Sequence, residues 1–391
     1  MKRISCFCFF LFLFQSASVL ATEKEWTFLI YINGNNNLDP YGALNINSME
    51  NAPASSDVNV VVQWASFERE TALRLKIQPD MSPEDVTSPV LEDLGQVDMG
   101  SHQTLLNFLK WGHDHFPAKK YFVVVWNHGT GWNREFGVFE RDISHDNFTS
   151  NQITTEQLGH VMQNFSQYIG KKIEVYASDA CLMASIDVAD EMSDSVKYFG
   201  GSQELEPSLG WPYEAFLKKV MMKPAMDGGQ ALQILAREYL QAYSGGIYGN
   251  TPVTFSAYDF SVFSEMKSSM RDLGISLKQN WKKSSSQVLS AANSATWFFR
   301  RSNRDLIHFV KNLQNMETGI SEVTVETVLE RASRFLIANE VSENYPDAHG
   351  ITIWFPLKSS EFYGSEQRYE KLKFSLNTGW HSFLSTIWGQ K

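Results

Sequence analysis

The sequence predicts an α/β protein: an α/β/α sandwich on a central, mostly parallel sheet, with a helical C-terminal extension. Two observations point there. Short apolar runs rich in β-branched residues recur along the chain without in/out alternation, the signature of strands buried on both faces of a sheet. Between them lie amphipathic stretches with the helical period, as crossover connections require.

Taken in order, residues 1–21 (MKRISCFCFFLFLFQSASVLA) have a basic start, an apolar run and small residues before Thr22, which predicts a cleaved signal peptide. The run is shorter than the roughly 20 residues a membrane span needs. Strands are expected at residues 26–32 (WTFLIYI), 58–64 (VNVVVQW), 121–126 (YFVVVW) and 173–177 (IEVYA), with a weaker one at 198–203 (YFGGSQ). A helix is expected after Ser101, and another where Thr154 and Gln157 make a capping-box pattern ahead of Leu158, Val161, Met162, Phe165 and Ile169. Further helices are expected after Asp227 and over residues 325–340 (VETVLERASRFLIANE). The reading divides the chain into a signal peptide (1–21), a core (22–255) and a C-terminal region (256–391) with two or three more helices and one strand at 351–355, packed on the core.

The net charge of −10, without a basic patch, argues against nucleic acid as a partner. Of the three cysteines, Cys6 and Cys8 leave with the signal peptide, so an exported chain keeps Cys181 alone. One thiol cannot pair within its chain; it is either an apolar filler or a reactive group.

Sites in open α/β sheets form beyond the carboxyl ends of strands. Two strands end in reactive groups: YFVVVW runs into Asn127, His128 and Gly129, and IEVYA into Ser178, Asp179, Ala180 and Cys181. If these strands are parallel neighbours, thiol and imidazole meet at one edge. A helix read from Leu182 onward puts Cys181 at a helix N-terminus, which with His128 would favour the thiolate. Gly129 lets its N–H, with that of Cys181, approach a carbonyl oxygen. Asp179 either caps the following helix or forms the anionic floor of a pocket for a substrate arginine or lysine. Ser178, Glu204 and Glu206 are candidate lining groups. His349, also followed by glycine, stands before its strand, so His128 is preferred.

With these blocks, and with YINGNNNLDPYG, SQELEPSLGWPY, TFSAYDFS and HGITIWFP, the chain resembles clostripain and its relatives, in the clan of cysteine peptidases that includes caspases, legumain and gingipains. The resemblance implies a caspase-like fold, a His128/Cys181 dyad, protein or peptide substrates and cleavage after Arg or Lys selected by Asp179. Thr130 departs from the glycine common after HG in relatives. Some relatives need calcium; Asp142, Asp146 and Asn147 could bind an ion, but ordinary loop solvation is the favoured reading of them, and no cofactor is required. An inactive peptidase-like binding module is the alternative. A thiol-redox protein is disfavoured because no second cysteine resolves a disulfide. The long connection 129–152 starts beside His128 and contains Arg141 among polar residues, which leaves two readings, self-cleavage after Arg141 and an intact surface loop. The product would be a monomer or two chains held together by the shared sheet.

Overall fold

The computed structural model describes residues 23–80, 82, 85–133 and 142–389. The expected signal peptide lies outside them. No helix among the described residues is long and apolar enough to cross a membrane.

The strands are β1 (Lys24–Gly34), β2 (Val58–Ser66), β3 (Thr71–Lys76), β4 (Val90–Asp93), β5 (Ala118–Trp126), β6 (Ile173–Asp179), β7 (Val196–Gly201), a small hairpin β8 (Ser244–Gly246) and β9 (Gly249–Asn250), β10 (Thr254–Asp259), β11 (Asn303–Asp305), β12 (Leu336–Val341) and β13 (Thr352–Trp354). Nine of them form one sheet in the order β12-β10-β7-β6-β5-β1-β2-β3-β4. The five central strands are parallel, and antiparallel strands complete both edges. Each expected strand is present, those of the central sheet extended by one to three residues at an end or shifted slightly.

Alternation along these strands feeds two apolar layers. Leu29, Tyr31, Val123 and Val125 pack with the helices His102–His115 and Thr155–Tyr168. Phe28, Ile30, Phe122 and Val124 pack with Asp39–Glu50, Tyr213–Met222 and Gly228–Tyr243 on the other face. With both faces covered, the inner strands lose the polar alternation of a half-exposed sheet. The Thr154/Gln157 capping box forms as its spacing predicts.

The C-terminal region departs from expectation. It holds six α-helices and one 3-10 turn among the described residues, one of the α-helices running from Phe263 to Ser294. The pattern at 325–340 is helical only to Phe335. Leu336–Val341 is instead captured as β12 by antiparallel pairing with β10. Tertiary pairing thus overrides a helical sequence period at its end.

Candidate active site

Parallel pairing of β5 with β6 places Trp126 opposite Asp179, and the Asn127 N–H donates to the Asp179 carbonyl at 3.2 Å. His128 and Cys181 therefore emerge together at one sheet edge. They line the same cleft, with Asn127, Asp179 and Glu206. The glycine after His128 has a steric cause: a Cβ there would lie 2.5 Å from the Cys181 carbonyl oxygen. Among the described residues the Gly129 N–H donates to no backbone or side-chain acceptor, and the Cys181 N–H approaches its own Sγ.

His128 Nε2 lies 2.8 Å from Asn37 Oδ1. An amide oxygen only accepts, so in the neutral ring Nε2 carries the proton and Nδ1 is the basic nitrogen. The turn that carries Asn37 is held by its other asparagines. Asn33 and Asn36 donate to the His145 carbonyl at 3.1 and 2.8 Å, and Asn127 donates to the Asn33 carbonyl at 2.6 Å. The amides of the GNNN turn thus stitch the end of β1 to the segment that follows residue 142. Sequence reasoning noticed this turn without giving it a role; four asparagines within five residues at a strand end were the available signal.

The helix expected directly after Cys181 begins later, as Ile186–Asp190 capped by Ser185. Leu182 occupies the left-handed region at φ 62°, a conformation costing a non-glycine residue about 1–2 kcal/mol. Its N–H is tied to the Glu204 carbonyl at 3.2 Å. Cys181 thus sits on a tight turn and gains no helix N-terminus, which corrects the expectation of a thiol activated by one. Burial pushes the thiol above its ordinary range; the Glu206 N–H donating to Sγ at 3.2 Å opposes that shift, and the Glu204 charge adds to it.

Asp179 does not cap a helix either. Its Oδ2 accepts from the Trp211 N–H (3.3 Å) and the Tyr213 hydroxyl (2.8 Å). Gly210 is confined beneath it: at φ 64° it approaches Asp179 so closely that a Cβ would lie 3.0 Å from Oδ2. Both carboxylate oxygens of Glu206 are buried without a hydrogen bond of ordinary geometry. Burial pushes the Asp179 carboxyl up to about 6. Glu206 is pushed well above its usual range, first by burial and then by the Asp179 charge. Two acids facing one another in a buried space cannot both ionise cheaply, so the pair favours holding one proton between them.

The other candidates lie elsewhere. Ser178 points to the opposite face of β6, where its hydroxyl bonds Tyr176 at 2.8 Å. Glu204 turns its carboxylate to the Leu205 and Phe299 N–H groups. His349 contacts Lys311 at 3.2 Å and does not line the cleft. Asp142 pairs with Arg368, and Asp146 accepts from Asn35, Met99, Phe148 and Thr149. Asn147 ties its N–H to the Asn35 carbonyl at 2.8 Å. Among the described residues no group of three or more His, Cys, Asp and Glu is arranged to hold a metal ion. Arg141 lies outside the described residues, and the connection around it is anchored by bridges of Ile143 to Gly129 and Ile153.

The sequence profile of the clostripain family matches residues 30–388. The chain belongs to the clostripain family. It is a cysteine peptidase, and its fold is that of solved clostripain-family structures. A secreted C11 cysteine protease from Bacteroides thetaiotaomicron, in complex with an irreversible peptide inhibitor, superposes with a TM-score of 0.70 at 18% identity, covering 91% of this chain and 99% of that one. An inactive zymogen C11 protease from Parabacteroides distasonis gives 0.70 at 18% identity over 92% and 99%. At such identity these structures speak for the fold alone. Comparison with curated proteins returns no significant match.

Proposed function

We propose that this clostripain-family member is an exported endopeptidase that cuts peptide bonds after arginine or lysine, with Cys181 as nucleophile and His128 as acid–base group. The observation that carries this reading is the buried carboxyl pair, Asp179 and Glu206, opening into the cleft that also holds Cys181 and His128. A buried anion short of partners is costly until a cation meets it. A guanidinium or ammonium of the substrate supplies that cation and seats the adjacent carbonyl at the thiol.

The chemistry follows from the arrangement. Sγ gives its proton to His128 and attacks the carbonyl carbon, forming a C–S bond. The oxygen gathers negative charge at the Gly129 and Cys181 N–H groups. His128 returns the proton to the departing amine as the C–N bond breaks, and water then hydrolyses the thioester. The raised thiol means that the empty enzyme rests protonated, and a bound cation beside Asp179 and Glu206 favours thiolate.

Self-cleavage after Arg141 belongs to the same reading. The connection leaves from the residue next to His128, and Arg141 matches the proposed specificity. Cys181→Ala tests both claims: it should abolish hydrolysis of arginyl and lysyl peptides while leaving the melting temperature near wild type. Wild type should yield two bands with a new N-terminus at Asp142, and the variant one. Full activity in the variant, or equal cleavage after aspartate and arginine by wild type, would sink the assignment.

A further inference from the structure

The C-terminal region brings an aromatic hairpin to the cleft. After the helix Phe263–Ser294 the chain turns back, with Trp297 bridged antiparallel to Arg304 and the Phe298 N–H donating to the Asn303 carbonyl at 3.4 Å. Extended backbone alternates its side chains. Phe298 points inward and is fully buried with Leu182 and Ala348, in a cluster that Cys181 borders. Trp297 and Phe299 point out, 47% and 52% exposed. The Arg301 guanidinium stacks 4.8 Å from the Trp297 ring.

Glu204 fixes this hairpin to the site. Its Oε1 accepts from the Leu205 N–H at 2.8 Å and the Phe299 N–H at 3.3 Å, so Leu205, itself 41% exposed, and Phe299 converge on one oxygen. On either side of Leu205, the Glu204 carbonyl holds the Leu182 N–H, and the Glu206 N–H donates to Cys181 Sγ. An exposed apolar patch therefore begins one residue from the acidic pocket wall.

We propose that Leu205, Phe299 and Trp297 form a subsite for an apolar side chain of the substrate on the N-terminal side of the basic residue. This rests on the reading that the basic residue enters the Asp179/Glu206 pocket. Direction follows from the sheet. β6 lies between β5 and β7; the departing amine must reach His128, which follows β5, so the acyl side of the substrate leaves across the β7 side, where residues 204–206 and the hairpin lie. Apolar contact there, next in the chain to the cleft-lining Glu206, selects leucine or phenylalanine over glycine at the position preceding the basic residue.

The test uses the full-length enzyme and fluorogenic peptides with Leu-Arg or Gly-Arg before the cut, plus a parallel pair with Leu-Leu and Gly-Leu. Wild type should favour Leu-Arg over Gly-Arg in kcat/KM by about tenfold, the discrimination typical of one apolar side chain in a pocket. Phe299→Ala and Trp297→Ala should each move that ratio toward one, while Tyr363→Ala, at an exposed aromatic on a helix that does not line the cleft, should not. A wild-type ratio near one, or a ratio unchanged in both variants, overturns the subsite. So does a dimer in sedimentation that Phe299→Asp dissociates without moving the ratio, because the patch would then be covered by a second copy. Since the ratio is taken within one basic or non-basic series, failure of the basic-residue reading appears separately, as equal turnover of the arginyl and leucyl series.

Discussion

Two sets of buried carboxylates sit in this molecule, and they are treated differently. At the joint between the sheet and the C-terminal helices, each acid arrives with its partners. Asp142 meets Arg368, Asp190 meets Lys267 at 2.7 Å, Asp187 accepts from Tyr369 and the Trp354 N–H, and Asp305 accepts from Gln203 and the His308 and His349 N–H groups. In the cleft, Asp179 has two donors, and the oxygens of Glu206 have none of ordinary geometry, only Asp179 and the Trp211 ring beside them. The first set closes a joint. The second faces no cation among the described residues, and the proposed pocket for a basic side chain rests on that difference.

The largest effect should come from breaking the satisfied set. Arg368→Met removes the cation facing Asp142, which is fully buried, and should cost about 3–5 kcal/mol of stability, as stranding a buried charge does; urea unfolding measures it. Cleft substitutions should behave in the opposite way. Asp179→Asn should lower kcat/KM for arginyl peptides by roughly two to three orders of magnitude, about 3–4 kcal/mol of transition-state binding, with no loss in melting temperature. Glu206→Gln should cost activity less, about tenfold, because its carboxyl is the one pushed further toward the neutral form, and stability should stay level or rise by up to about 1 kcal/mol. A fall of several kcal/mol in stability for either cleft variant would erase the distinction.

The smallest effect is in pH. Asp179 is raised to about 6, so the empty folded protein binds this proton more tightly than the unfolded chain does. Its contribution to stability is fully present below about 4 and is lost as pH rises through about 6. Cation binding runs the other way: affinity for agmatine, followed by calorimetry, should weaken as pH falls below about 6. Asp187 and Asp305, also raised to about 6, share the stability trend. Ligand binding is therefore the readout specific to the cleft, and Asp179→Asn should remove most of its pH dependence.

Much of this was legible in the chain. Buried parallel strands announce themselves because residues such as Val123, Val124 and Val125 must be apolar on both faces, and crossover topology then brings His128 and Cys181 to one edge. What stayed hidden depends on long-range approach. Asn37 reaches His128 from a turn after β1, and Tyr213 reaches Asp179 from a helix start 34 residues on. Glu204 and Glu206 look alike in SQELEPS, yet the Leu205 and Phe299 N–H groups take the Glu204 carboxylate, and only the Glu206 carboxyl lines the cleft. The late start of the helix after Cys181 follows from the strained turn at Leu182, which no local period signals. β12 escaped because its pairing with β10 outweighs the helical spacing that leads into it.

Arg368 has one more consequence. Its guanidinium donates to the Trp132 carbonyl on one side of residues 134–141 and to Asp142 on the other, with Glu156 as a third partner. Both stems are thus gripped by a side chain from near the C-terminus, independently of the peptide that connects them. The chain is in effect two complementary fragments: residues 23–133 carry β1 to β5 with His128, and residues 142–389 carry β6 onward with Cys181 and the clamp. Neither fragment holds both residues, and the longest seam between them is the β5–β6 edge. Co-expressed as separate polypeptides, they should copurify, and the peptidase activity of the mixture should titrate with whichever fragment is scarcer.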